Sequence, residues 1–440
     1  MESVRPPAIC IDGRDLALTR GTGIATYGRN LLGALTAMRA PGQVLYGTMA
    51  RRAGTDGENQ ALIALNSEND RVMDRRLYYL RTAASPLGRW ARPLSPSPTE
   101  IWPEGRRPEA RRYWWAPSLF RFSHRAFRKY SADTPVRFTG PQSDRPDVMH
   151  WTSPMPVHAP GMPNLYTFHD LIPLTHPELA GNDADATLRL YRKVADRADH
   201  IAVVSETTRR DLVEHLGIAE DRITNTYQTV VLPDVSSGMG SSDLEQQLRD
   251  TFGLRWKGYF LHYGAIEPKK NLGRLVEAYI TSGVMSPLIL VGNPAWMSDE
   301  ETALLDKIRR EGWAVAARIR QYDYMPFELL QLLIRGAKAT LFPSLYEGFG
   351  LPVLESMLSG SAVLTSTAGS LPEIAGGAAL LVSPTDLGAI AKGIVTLEHD
   401  DDVRAELVMR GRIRSADFSA AAYERRLKTL YGKLGVELPV

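Results

Sequence analysis

Short apolar runs alternate with longer stretches of helical period along nearly the whole chain. "AICID" predicts a buried strand, and "ATYGRNLLGALTAM" then puts Tyr27, Leu31, Leu32 and Leu35 on one helical face. "NLYTFHDLIP" predicts a strand running into a loop. "HIAVVSETTRRDLVEHLG" predicts a strand, a Ser205 cap, a helix and a Gly217 stop. The Gly/Ser-rich "LPDVSSGMGSSD", Leu232 to Asp243, has linker composition, and after it the alternation restarts. "GYFLHYG", "PLILVGN", "ATLFPS" and "AVLTS" read as strands, with "NLGRLVEAYITSG", "MPFELLQLLIRGAK" and "PVLESMLSG" as helices.

Alternation of this kind implies an α/β protein with two parallel sheets, each covered by helices on both faces. Such sheets bind ligands at the carboxyl ends of their strands, so two in series predict a cleft between them. The expected boundaries are a first domain over 1–233, a linker over 234–245 and a second domain over 246–410. A C-terminal helical segment over 411–440 carries Phe418, Tyr423, Leu427 and Leu430 as its apolar members and is expected to return to the first domain.

Composition changes this picture in one place. The 440 residues suit two domains better than one core. The 44% hydrophobic and 23% charged content is that of a soluble globular protein, and a net charge of +2 gives no argument for nucleic acid. Cys10 is the single cysteine, which excludes a disulfide framework. The start "MESVRPPAICIDGRD" lacks an apolar run behind basic residues, and no stretch reaches the ~18 apolar residues of a membrane span, so a cytoplasmic location is expected. Charge is uneven, however: Arg71 to Arg137 holds 15 Lys/Arg against 5 Asp/Glu, together with a run of Trp, Tyr and Phe. Within it, Ser85 to Pro117 reads as an insertion beside the first sheet rather than part of it. The basic, aromatic composition suits an anionic membrane surface.

The candidate chemistry concentrates in "LFPSLYEGFGLPVLESMLSG", Leu341 to Gly360. Gly348 and Gly350 make a permissive loop after a strand, Pro352 suits the start of a helix, and Gly360 suits its end. Glu347 is then in the loop and Glu355 in the first helical turn, both at the carboxyl edge of the second sheet. A helix N-terminus behind a glycine loop offers free N–H groups to phosphate. Two carboxylates repel phosphate but accept from hydroxyls on either side of it. A nucleotide sugar has hydroxyls on both sides of a diphosphate. "YGAIEPKKNLGRL" supplies Lys269 and Lys270 at the same edge as the positive counterpart.

"GAIEPKKNLGRLVEAY", "LILVGNPAW" and "SLYEGFGLPVLESMLSGSAVLTSTAGSLPEIAGGAALLVSPTD" resemble the retaining GT-B glycosyltransferases of bacterial α-mannosyl and α-glucosyl transfer, family 4 in type, with their two-glutamate signature. "GTGIATYGRNLL", "YTFHDLIPLTHPE" and "IAVVSETTRRDL" match more loosely. The resemblance implies two facing Rossmann-like domains with an interdomain cleft and a C-terminal helix. It implies Glu355 on ribose, Glu347 on the hexose, Gly348, Phe349, Gly350 and Leu351 against phosphate and sugar, and Lys270 with Lys269 on the diphosphate. Gly21 and Gly23 match the glycine loop closing over the donor, His169 the histidine near the sugar, and Asn293 and Tyr322 the loops that hold the base. Ala265 stands where many members carry Arg, which puts more weight on Lys270.

The implied reaction moves a hexose, with mannose from GDP-mannose ranked first, onto a saccharide acceptor with retention and no metal or other cofactor. The acceptor is expected to be lipid-linked, in exopolysaccharide or O-antigen assembly, with the enzyme peripheral at the inner face of the cytoplasmic membrane. A UDP-sugar-dependent glucosyl or GlcNAc transferase of the same fold is an alternative. A nucleotide-sugar epimerase and a non-catalytic carbohydrate-binding protein are rivals from other classes.

Overall fold

A computed structural model describes residues 6–17, 23–47, 75–95, 107–181, 183–232, 240–293, 295, 297–323 and 325–439. The first sheet draws on β1 Ile9–Asp12, β2 Gln43–Tyr46, β3 Arg89–Leu94, β4 Arg112–Trp115, β5 Thr134–Phe138, β6 Val148–Trp151, β7 Val157–His158, β8 Asn164–Phe168, β9 His200–Val203 and β10 Ile223–Asn225. Its order is β10-β9-β8-β6-β1-β2-β4-β3-β5-β7. The second sheet holds β11 Phe260–Tyr263, β12 Leu288–Val291, β13 Ile319–Tyr322, β14 Ala339–Phe342, β15 Ala362–Ser366 and β16 Leu380–Val382, in the order β13-β12-β11-β14-β15-β16. All pairings are parallel except β3 with β4.

The central strands are buried throughout, as parallel strands covered on both faces must be. This is the GT-B arrangement of two Rossmann-like domains. One apolar cluster runs from Ile11, Tyr27 and Leu31 of the first domain to Leu261, Phe349 and Leu354 of the second, so the domains share a core across their interface.

Three expectations need correction. Ser85 to Pro117 is not beside the first sheet: β3 and β4 belong to it. Trp114 is buried there, its indole N–H donating to the Gln43 side chain at 2.6 Å on the adjoining strand. The stretch assigned to the linker, 234–245, already contains the start of a helix, Ser241–Phe252, while residues 233–239 lie outside the described part. Gly240 receives no capping side chain of its own, but the Asp243 carboxylate accepts its N–H at 2.9 Å and starts the helix there. The boundary at 410 falls inside the helix Asp401–Ser415, and the break comes only at Ala416–Phe418.

The last helix, Ala420–Gly432, lies against the first domain: the Tyr431 hydroxyl and His150 Nδ1 are 2.8 Å apart. His150 Nε2 reaches the Thr167 hydroxyl at 2.7 Å, and Tyr27 joins the same hydroxyl at 2.9 Å. Burial pushes the imidazole of His150 down to about 3, so it stays neutral in this network. Two polar contacts hold the domains together beside this core. The Glu373 carboxylate accepts the N–H groups of Glu206 at 2.7 Å and Thr207 at 3.1 Å. Those two donors open the helix Glu206–Leu216, so a side chain of the second domain caps a helix of the first. Tyr346 donates to Asp211 on the same helix at 2.6 Å.

Candidate active site

The loop after β14 brings Glu347 to the carboxyl edge of the second sheet. It is held from behind by Ser370, whose N–H donates to the Glu347 carbonyl at 3.0 Å and whose hydroxyl reaches the carbonyls of Glu347 and Phe349 at 2.9 and 2.8 Å. Phe349 is buried, with its ring 5.7 Å from that of Phe418. Gly350 turns the chain at φ +105, a left-handed value that favours glycine, and the helix Leu351–Leu358 begins. Glu355 is the fifth residue of that helix, in its second turn rather than the expected first. The shift matters little to direction, since one turn separates it from Leu351 along the same helix.

The loop after β11 carries the lysines. Lys270 Nζ is 2.5 Å from Glu347 Oε1, with both side chains nearly buried at 12% and 11% exposure. Lys269 instead pairs with Glu267 at 3.3 Å. Its carbonyl accepts the Leu345 N–H at 2.8 Å, which ties the two loops together. Asn271 adds a second tie, donating to the carbonyls of Pro343 and Pro384 at 2.8 Å each.

Burial pushes the Glu347 carboxyl up, but the ammoniums of Lys270 and Lys269 outweigh it and hold the group below its ordinary value. For Lys269, burial works downward and the carboxylates of Glu347, Glu267 and Asp170 raise it well above the usual lysine range. Glu355 makes no ion pair among the described residues. Burial pushes it up to about 7, opposed by a hydrogen bond from Tyr263 and by the charge of Lys270.

The first domain supplies the facing wall. His169 follows β8, with Nε2 2.8 Å from the Thr152 carbonyl and its ring edge-on to Tyr27 at 5.0 Å. The His169 carbonyl presses on Gly348: a β-carbon there would come within 2.0 Å of that oxygen. Gly23 opens the helix Gly23–Ala37, and a β-carbon on it would be 3.6 Å from Leu351. Gly21 lies outside the described residues.

Thus Glu347, Gly348, Phe349, Gly350, Leu351, Glu355, Lys269, Lys270, His169 and Gly23 gather where the two domains meet. On the second-domain side Asn293 follows β12 and Tyr322 ends β13. The Asn293 carbonyl accepts from the Ile266 N–H at 2.9 Å, and the Tyr322 ring packs edge-on to Phe252. Sequence reasoning missed Tyr263, Asn271 and Ser370, which shape the loops, and Thr152 and Glu373, which act across distances no local pattern records. Among the described residues no three His, Cys, Asp or Glu side chains converge as metal ligands do.

Comparison with known proteins bears on the family and the fold. The model for "Glycosyltransferase Family 4" matches residues 23–230 and that for "Glycosyl transferases group 1" matches residues 249–414. The chain is of the glycosyltransferase family 4 type. Among relatives of this glycosyltransferase, the O-antigen chain mannosyltransferase B of Escherichia coli is 34% identical over 58% of this chain and 66% of that protein. The serotype-specific mannosyltransferase WbdA of Escherichia coli is 31% identical over 58% of this chain and 31% of that protein. The matched stretches thus span between about a third and just under two thirds of those relatives.

Solved structures reproduce the fold. Sucrose-phosphate synthase from Thermosynechococcus elongatus superposes with a TM-score of 0.63 at 18% identity, covering 98% of this chain and 99% of that one. Anabaena HepE, in complex with UDP and glucose, gives 0.64 at 15% identity, with 97% and 99% covered.

Proposed function

We propose that this glycosyltransferase moves mannose from GDP-mannose onto a hydroxyl of a lipid-linked saccharide, with retention and without a metal. The observation that carries the reading is the Lys270–Glu347 pair at the head of the helix Leu351–Leu358, with Glu355 in reach of Lys270 and His169 opposite. The lysines and the helix amides match a diphosphate, and the two glutamates match hydroxyls on either side of it. The printed functions of the relatives favour mannose as the sugar.

Retention follows from a front-face reaction. The acceptor oxygen bonds to the anomeric carbon on the face the diphosphate leaves, and the departing phosphate oxygen takes the acceptor proton. Glu347 is committed to Lys270 and serves binding rather than nucleophilic attack. Positioning and fixed charge then supply most of the barrier reduction.

The membrane side of the reading rests on the first domain. The helix Arg75–Ala83 packs on the helix Leu119–Tyr130 through Tyr78 and Phe122, 5.8 Å between rings. Around them Leu80, Leu87 and Trp90 stand 66%, 81% and 57% exposed. Lys129 lies over the rings of Tyr79 and Tyr130, and Arg137 over Trp90, so cations accompany exposed aromatics in this part of the domain. Such a region fits an anionic bilayer surface. Among the described residues no helix is long and apolar enough to cross a membrane.

A thermal-shift panel of nucleotide sugars tests the donor: GDP-mannose at 100 times its Kd should stabilise by about 2.7 kcal/mol. A larger shift with UDP-sugars than with GDP-mannose would replace the donor. Chelator-insensitive turnover is expected; loss in EDTA restored by magnesium would overturn the metal-free reaction. Vesicles of anionic phospholipid should float the wild type but not a variant with Arg125, Arg128 and Lys129 changed to Glu. Equal flotation of both would remove the membrane contact.

A further inference from the structure

Behind His169 lies a chain of hydrogen bonds that neither the motif nor the donor pocket uses. Asp12 ends β1 and is buried at 1% exposure. Its Oδ2 accepts the Thr152 N–H at 2.5 Å and the Thr152 hydroxyl at 2.8 Å, while Oδ1 accepts the Arg14 N–H at 3.3 Å. Thr152, itself 2% exposed, presents its carbonyl to His169 Nε2 at 2.8 Å. A carbonyl can only accept, so the hydrogen in that bond belongs to Nε2. In the neutral ring the lone pair is then on Nδ1.

We propose that Asp12 is a positioning residue that, through Thr152, locks His169 as the Nε2–H tautomer and aims Nδ1 as an acceptor at a hydroxyl of the donor hexose. The proposal rests on the donor-side placement of His169 argued above. Three features support it. Both donors of Thr152 go to one oxygen of Asp12, which fixes the residue at its amide and its side chain, so its carbonyl, in the next peptide plane, turns only about one backbone torsion. The ring is fixed on its other side by Tyr27, whose hydroxyl is anchored to Thr167 at 2.9 Å. Burial holds the imidazole of His169 below its ordinary value, which keeps it neutral at the pH where such an acceptor is needed. Burial also pushes the Asp12 carboxyl up, to about 6, which still leaves it ionised and accepting at neutral pH.

The arrangement explains why a buried carboxylate stands at the end of a central strand without an ion pair among the described residues. Its charge is met by hydrogen bonds, and those bonds hold the residue whose carbonyl meets His169. The tautomer then follows from that carbonyl rather than from the substrate.

The test combines a spectroscopic and a kinetic readout on the full chain. With 15N-labelled histidine, and the signal assigned by its disappearance in His169→Gln, wild-type His169 should show a protonated Nε2 and a bare Nδ1. Asp12→Ala should give a mixture of tautomers and lower kcat by ~10- to 100-fold, with donor KM within about threefold. Asp12→Asn, which keeps an acceptor toward Thr152, should restore kcat to within about tenfold of wild type. If Asp12→Ala does not fold, Thr152→Val keeps the carbonyl but removes one of the two bonds that hold it. That variant should lower kcat by ~3- to 10-fold without moving KM. A wild-type ring protonated at Nδ1, or an unchanged kcat in folded Asp12→Ala, would overturn the proposal. Unaltered turnover in His169→Ala would instead overturn the donor-side reading on which it depends. Lost turnover there beside full activity in Asp12→Ala would remove the positioning role alone.

Discussion

The contact between Gly348 and the His169 carbonyl makes the geometry of the cleft testable with one methyl group. Gly348 does not have a positive φ, so its own backbone accepts alanine. What opposes the change is the other domain. The added β-carbon would come within 2.0 Å of the His169 oxygen, 2.8 Å of Asp170 Cβ and 2.9 Å of the His169 carbonyl carbon. Such carbons essentially never approach an oxygen below 3.0 Å, so about 1 Å of separation must be found. The His169 carbonyl cannot retreat cheaply: it accepts the Thr208 hydroxyl at 3.1 Å, and its side chain is tied to Thr152. The displacement therefore falls on the relation between the domains. Misplacement of reacting groups by about 1 Å costs on the order of 100-fold in rate, which is about 2.7 kcal/mol of barrier. Gly348→Ala should accordingly lower kcat, measured as nucleoside diphosphate release at saturating donor and acceptor, by about 100-fold. Its melting temperature should stay within a few degrees of wild type, since neither sheet is touched. Gly33→Ala is the control, because a β-carbon there meets nothing within 4 Å. A kcat for Gly348→Ala within threefold of wild type would refute the closed geometry as the working one.

Glu347→Ala should abolish turnover while leaving the fold intact in circular dichroism; wild-type turnover in it would remove the sugar-clamp role. Lys270→Ala leaves the nearly buried Glu347 without its closest partner, and should cost about 1–3 kcal/mol in denaturant unfolding as well as activity. An unchanged unfolding midpoint would show that the pair is solvated. Glu373→Ala removes the cap that the second domain places on the helix Glu206–Leu216, and should cost about 1 kcal/mol and raise donor KM. Equal scattering profiles and equal KM for mutant and wild type would deny it a part in closure. Glu355 has a raised pKa, so its contribution to stability is fully present below its ordinary value near 4.5 and is lost as pH rises through about 7. Glu355→Gln should therefore flatten the loss of ligand-free stability between about pH 5 and 8. An identical pH profile in the variant would mean that this carboxyl titrates normally.

Much of this was readable in the chain. Periodicity located the strands β11, β12, β14 and β15 and the glycine loop, because each is a local pattern whose partners lie one element away. The strands β3 and β4 were missed for a physical reason. Pro93 and the arginines around Trp90 break the apolar run, and β3 is half exposed, so nothing local marks it as sheet. What fixes it there is pairing with β4 and β5, including Trp90 opposite Arg137. Glu373 was equally silent: in "LPEIAGG" a glutamate reads as a helix charge, and its partners Glu206 and Thr207 lie far away in sequence. The same holds for Asp12, whose only visible signal was a charged residue ending an apolar strand.

The sequence also suggested a division of labour, with lysines on phosphate and glutamates on hydroxyls, that the structure refines. Each lysine has a carboxylate: Lys270 has Glu347 and Lys269 has Glu267. An unpaired ammonium or carboxylate at this depth would be costly, and pairing removes that cost. Lysine has three donors, so Lys270 can keep one on Glu347 and offer another to a phosphate oxygen. Under the proposed reading a diphosphate would enter without breaking the pair, and the Glu347 oxygen left over would face the hexose beside the lysine that meets the phosphate. On this argument Glu347 and Lys270 act as one unit. Removing either should cost nearly as much activity as removing both, and the double-mutant cycle of Glu347→Gln with Lys270→Met should show strong non-additivity. Additive losses would mean that the two residues serve the donor independently.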